Sequence, residues 1–246
     1  MARISVLDDD VTLDEPTLIE GFPGIGLVGK IATDHLIETH GMTHYANVHC
    51  EGIPRVAVYR EANPTLTTPV RLYADAESDL VALRSDVPVS PSAAAEFAGC
   101  LDGWFAETGA FPVFLSGLGR EKDEEPPALY GVATNDGETM LSRASAEDPP
   151  ESGLISGPTG SMLAEALERG RDAVGLVVES DPQFPDPEAA RVLIRDGIDP
   201  IADVETPTDG LVDQATEIRN AKRAFAERMR EATKESSQAE PLKMYQ

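Results

Sequence analysis

Gly24-Ile25-Gly26-Leu27-Val28-Gly29-Lys30 holds residue types that phosphate chemistry uses, at two different spacings. Gly24, Gly26 and Gly29 spell G-x-G-x-x-G, in which glycines let backbone N–H groups approach a dinucleotide's pyrophosphate. Glu51 stands at about the right distance downstream to hold a ribose. Phe22 and Pro23, however, separate the preceding strand from the first glycine of that fingerprint. Gly24 to Lys30 also spell G-x-x-x-x-G-K, but Ile31 stands where a Walker A loop needs Ser or Thr for magnesium. Ile25, Leu27 and Val28 are poor company for a triphosphate. A second turn, Gly157-Pro158-Thr159-Gly160, again precedes a helix, and both turns would present free backbone N–H groups at a helix N-terminus. A nucleoside- or nucleotide-binding enzyme using both turns is therefore the alternative function. The plainer reading makes Gly21, Gly24, Gly26, Gly29, Gly157 and Gly160 the hinges of two tight strand-to-helix turns.

Other chemistry finds less to work with. All four histidines fall between His35 and His49. His40 and His44 have the spacing of a helical pair, but Gly41 breaks the helix between them, so polar surface or a helix end suits them better than a metal. Cys50 and Cys100 form no C-x-x-C pair or zinc knuckle and read as buried free thiols. Ser116 lacks the glycine that a nucleophile elbow needs, since Phe114 stands there. No catalytic residue, metal or cofactor is expected.

The sharpest feature is the C-terminus. Met244-Tyr245-Gln246 puts an apolar side chain, a phenol and a free carboxylate after the polar stretch from Thr233 to Glu240. Such an arm can dock in a pocket with an apolar wall and a lysine for the carboxylate.

The elements that would position these residues alternate. Strands are expected at Thr17–Glu20, Tyr45–Cys50, Arg55–Arg60, Pro69–Tyr73, Leu80–Leu83, Phe111–Leu115 and Ala173–Glu179. Helices are expected from Leu27 to Thr39, from Ser90-Pro91-Ser92 to Glu107, from Ser161 to Arg169 and from Pro187 to Arg195. This order predicts an α/β fold, a mostly parallel sheet with helices on both faces. Leu211, Ala215, Ile218, Phe225, Met229 and Ala232 then recur at helical spacing. The chain divides into an α/β domain (1–208), an amphipathic helix (209–235) and a flexible tail (236–246).

The 246 residues carry 44 acidic against 20 basic side chains, a net charge of −24, with 41% hydrophobic residues. That is enough apolar material for a core. Of the bases, 15 are Arg and 5 are Lys. High carboxylate with little lysine suits a cytoplasm of molar salt, where the Debye length shrinks to about 3 Å. A salt-in halophile is the expected host. Surface carboxylates are then solvent adaptation, and nucleic acid and membrane are excluded as partners.

Glu20-Gly21-Phe22-Pro23-Gly24-Ile25-Gly26-Leu27-Val28-Gly29 resembles the opening motif of the proteasome assembly chaperone 2 (PAC2) family. Ser156-Gly157-Pro158-Thr159-Gly160 resembles that family's second glycine turn, and the likeness covers about residues 15–200. The resemblance implies a fold related to nucleoside phosphorylases, a non-catalytic chaperone role in the cytoplasm, and homo-oligomers. It also implies the 20S proteasome as partner. Met244, Tyr245 and Gln246 match position by position the terminal triplet that inserts between α-ring subunits in archaeal relatives.

Overall fold

In the computed structural model, residues 3–8, 10–50, 53–60, 63–90, 94–120 and 126–213 are described. Ten strands form among them: β1 (Arg3–Val6), β2 (Thr17–Gly21), β3 (Thr43–His49), β4 (Val58–Arg60), β5 (Asn63–Thr67), β6 (Val70–Asp75), β7 (Leu80–Ser85), β8 (Phe111–Gly119), β9 (Leu129–Thr134) and β10 (Ala173–Ser180). The helices are α1 (Val28–Thr39), α2 (Ala94–Thr108), α3 (Glu138–Leu141), α4 (Gly157–Glu168) and α5 (Pro187–Val192). Helix α5 runs through a π turn at Leu193–Ile198 into α6 (Asp199–Ala202).

Eight strands build one sheet in the order β1-β3-β6-β7-β2-β8-β10-β9, and β4-β5 form a separate ribbon. Strands β7, β2, β8 and β10 run parallel, while β1, β3, β6 and β9 join antiparallel at the flanks. The expected parallel arrangement thus holds for the centre, and the sheet as a whole is mixed.

Both faces of the central strands are buried, and their side chains divide by parity. Leu18, Val81, Leu83 and Phe114 pack with Phe97, Leu101 and Trp104 of α2 and Met162 of α4. Ile19, Leu80, Ala82, Val113 and Leu115 pack on the other side with Val28, Ala32 and Leu36 of α1 and Leu193 and Ile194 beyond α5. Helix α2 shows why it faces inward: Ala94, Phe97, Ala98, Leu101 and Phe105 recur at i, i+3 and i+4 and are buried. Two fully buried phenylalanines, Phe97 and Phe114, lie on that side of the sheet.

Helix α4 begins at Gly157, four residues before its expected start, because Pro158 suits a first helical turn and the glycine turn is itself that first turn. The cysteines require a correction: Cys50 and Cys100 are not free thiols but are joined by a disulfide, Cα to Cα 6.5 Å. Fifty residues of intervening chain hide this pairing from any local reading, because only the fold carries the end of β3 to α2. The amphipathic helix expected over 209–235 is helical at residues 209–213, with Leu211 buried. Its remainder, and the tail with Met244, Tyr245 and Gln246, lie outside the described residues. Among the described residues, no helix is long and apolar enough to cross a membrane.

Candidate functional site

The two glycine turns meet at the carboxyl ends of the parallel strands, where open α/β sheets usually hold their ligands. Glu20, on central strand β2, connects them. Its side chain is fully buried and accepts a hydrogen bond from the Phe22 N–H at 2.7 Å, from the Leu115 N–H at 3.3 Å and from the Thr159 hydroxyl at 3.0 Å. One carboxylate thus joins the first turn, strand β8 and the first turn of α4. Burial pushes its pKa from 4.5 up to about 7, against the lowering effect of those three donors.

The first turn fits its neighbours too closely for any side chain larger than hydrogen at two places. Gly26 sits at φ +62°, and a Cβ there would fall 1.8 Å from the Ser180 hydroxyl. At Gly21 an added Cβ would lie 2.0 Å from Thr33 Oγ1, so β2 and α1 approach across a bare backbone. Leu27 continues the left-handed conformation at φ +52° before α1 begins at Val28. Gly29 therefore lies inside α1, against Leu115, and is no part of a phosphate-facing loop. Gly24 faces open space. In the second turn Gly157 opens α4 at φ +71°, and a Cβ at Gly160 would fall 2.1 Å from the Ile155 carbonyl oxygen.

The turn also lies on the ends of β8 and β10. A Cβ at Gly117 would come within 2.5 Å of the Ile25 carbonyl oxygen, and the Gly26 carbonyl accepts from the Asp186 N–H at 2.8 Å. Asp186 in turn caps α5, its carboxylate accepting from the N–H groups of Ala189 at 3.2 Å and Asp181 at 2.9 Å. The chain's own backbone and side chains thus pack closely around the first turn.

Lys30 does not reach back over the turn as a Walker lysine would. Its ammonium pairs with Asp34 one helical turn on, and Asp34 pairs with Arg84 at 2.7 Å. Arg84 also lies 3.5 Å from Asp86, which pairs with the fully buried Arg71. Arg71 and Arg84 stand directly opposite each other on β6 and β7, a like-charge pair held by the two aspartates around it. The histidines serve structure: His40 caps α1 and bonds Thr206 at 3.0 Å, His35 bonds the Pro207 carbonyl at 2.7 Å, and His44 stacks on Tyr73. Among the described residues no cluster of histidine, cysteine or carboxylate could hold a metal.

The PAC2 family model matches residues 18–226, and so spans both glycine turns. The chain belongs to the PAC2 family. Two uncharacterised proteins of Methanocaldococcus jannaschii are similar to it. One is 26% identical over 235 residues, 94% of each chain. The other is 27% identical over 189 residues, 74% of this chain. Among solved structures, Pyrococcus furiosus PbaA, described as an archaeal homolog of proteasome-assembly chaperone, superposes with a TM-score of 0.80 at 23% identity, over 96% of this chain and 95% of that one. Pyrococcus furiosus PbaB, described as an archaeal proteasome activator, gives 0.76 at 24% identity, over 92% and 98%. These likenesses establish a shared fold.

Within this PAC2 fold, the residues that join the turns are ones sequence reasoning passed over. Glu20 and Thr159 stand inside the quoted motifs, yet only the strand order shows that they touch. Ser180 and Asp186 carry no local signal at all.

Proposed function

We propose that this PAC2 protein is a non-catalytic, chaperone-like partner of the 20S proteasome that assists its assembly or regulation. The observation that carries the reading is full-length similarity in fold to PbaA and PbaB, whose descriptions name a proteasome-assembly chaperone homolog and a proteasome activator. The close packing of the glycine turns supports the non-catalytic reading, because Gly21, Gly26 and Gly160 leave no room even for a Cβ.

In this reading the body, 1–208, is a nucleoside-phosphorylase-like scaffold, and 209–235 is an amphipathic helix leading to the tail, 236–246. Met244 fills an apolar pocket between α-ring subunits, Tyr245 stacks and hydrogen-bonds, and the Gln246 carboxylate meets a basic side chain. Self-association multiplies the tails, and several tails on one particle raise avidity for a symmetric ring without any new contact. The setting is the cytoplasm of a salt-in halophile. Co-sedimentation with the host's 20S proteasome in molar KCl tests the reading: wild type is expected to co-sediment and Tyr245→Ala to remain in the supernatant. Equal sedimentation of the two would remove the tail from the mechanism.

A further inference from the structure

Among the described residues, two apolar surfaces stand open and far apart on the sheet. The first is the β4–β5 ribbon, which stands apart from the eight-stranded sheet between β3 and β6. Val58 pairs with Thr67 and Arg60 with Asn63, the register shifting between them, and Tyr59 and Leu66 lie within this irregular stretch. They are 79% and 63% exposed, and Val56 at the root of the ribbon is exposed as well. A cavity of about 650 Å³ lies around that root, lined by His49, Cys50, Ile53, Arg55 and Pro69 among others. The ribbon is an arm with an apolar side and nothing of its own chain, among the described residues, upon it.

The second is a groove of about 440 Å³ between α4, β9 and the segment 149–155. Leu118, Val132, Ile155 and Leu163 line it, and Leu154 and Leu167, fully and 63% exposed, stand at its mouth. Strand β9 is the last strand of the sheet, five strand spacings from β6. At ~4.8 Å per spacing the groove lies about 24 Å away, whereas a five-residue strand reaches only ~17 Å. The arm therefore cannot fill the groove of its own chain. Leu211 is buried on α1's side of the sheet, opposite the face where α4 packs.

At contact distance, within the short screening length of molar salt, charge is compatible with the match. Residues 53–69 carry Arg55 and Arg60 against Glu61 alone, a net positive segment in a chain of −24. The groove is bordered by Glu147, Asp148 and Glu151, all exposed, Glu151 also pairing with Arg120. We propose that the β4–β5 arm of one copy docks through Val56, Tyr59 and Leu66 into the α4–β9 groove of a second copy, with Arg55 against the carboxylates at 147–151. The proposal rests on the reading that the protein self-associates and names the surfaces that do it. Arm and groove are different patches, so the contact is head-to-tail, and its repetition gives a ring where the rotation between copies closes. In such a ring every copy points the same way along the axis, which sends residue 213 of each copy, and the chain beyond it, out from equivalent positions.

Sedimentation of the full chain in molar KCl tests this with two exposed-site variants, Tyr59→Asp/Leu66→Asp in the arm and Leu154→Asp/Leu167→Asp in the groove. Wild type is expected to form a closed oligomer, and each variant to associate at least about tenfold more weakly. A mixture of the two variants should give a one-to-one dimer and nothing larger, because only one intact arm and one intact groove remain. An oligomer that survives the arm substitutions overturns the proposal while leaving self-association in place. Dissociation by the groove variant alone also overturns it, and assigns the groove to another segment of a neighbouring copy. A wild type that stays monomeric removes both self-association and this interface.

Discussion

The carboxyl ends of the parallel strands differ from the β4–β5 ribbon and the α4–β9 groove in what they leave open. At the strand ends the chain closes on itself: Glu20 takes three donors, Gly26 admits Ser180 to contact, and Gly117 admits Ile25. At the ribbon and the groove it leaves aromatic and aliphatic side chains in water, Tyr59 and Leu66 on β4 and β5 and Leu154 and Leu167 beside β9. The glycine turns put their precision into packing. The apolar surface at ribbon and groove suits docking to other protein.

That contrast can be broken at several points. The largest effect is expected from Cys50→Ser/Cys100→Ser, which unties the root of the arm from α2. Opening a cross-link across 50 residues is expected to cost about 4 kcal/mol by chain entropy. Thermal melts that match wild type would show that the link does not constrain the fold. Next comes Gly26→Ala, where a positive φ and a Cβ at 1.8 Å from Ser180 act together, for a loss of about 3 kcal/mol. A neutral result at Gly26 would mean that the turn is looser than its contacts and could admit a ligand.

Glu20→Gln probes the same closure through pH. Burial raises the folded-state pKa to about 7 from 4.5, so the folded chain keeps a proton that the unfolded chain releases. The contribution is full below pH 4.5 and is lost as pH rises to about 7, where the native carboxylate ionises. Wild type should therefore lose about 3 kcal/mol relative to Glu20→Gln across that window. Parallel stability-against-pH curves would contradict the buried-carboxylate account. The smallest effect is expected at Gly24, which faces open space: Gly24→Ala should stay within about 0.5 kcal/mol of wild type. A large loss there would reveal a backbone role that the other glycines of the turn do not share.

How much of this was legible in the sequence follows from burial. The central strands read clearly because both their faces are covered, giving continuous runs such as Ala173–Val178 and Phe111–Leu115. The flanks did not. Strand β5 carries Asn63 and Pro64, β9 carries Gly131 in mid-strand, and β1 is four residues long, so none shows a strand pattern of its own. Glu20 was quoted as part of a motif, but a carboxylate on a short strand reads as solvent-facing. Its burial depends on β2 lying between β7 and β8, which is a property of strand order. The disulfide is hidden for the same reason, and so are the arm and the groove, each of which becomes a surface only once the sheet is assembled.

The central claim is that this PAC2 protein works by docking through its terminus. It is tested most directly by an equilibrium titration of the host's 20S proteasome with the full chain and with a chain lacking Met244-Tyr245-Gln246, followed by sedimentation velocity in molar KCl. The account predicts saturable binding of the full chain and at least about tenfold weaker binding of the truncated one. Equal affinity of the two, or no binding by either, would contradict it.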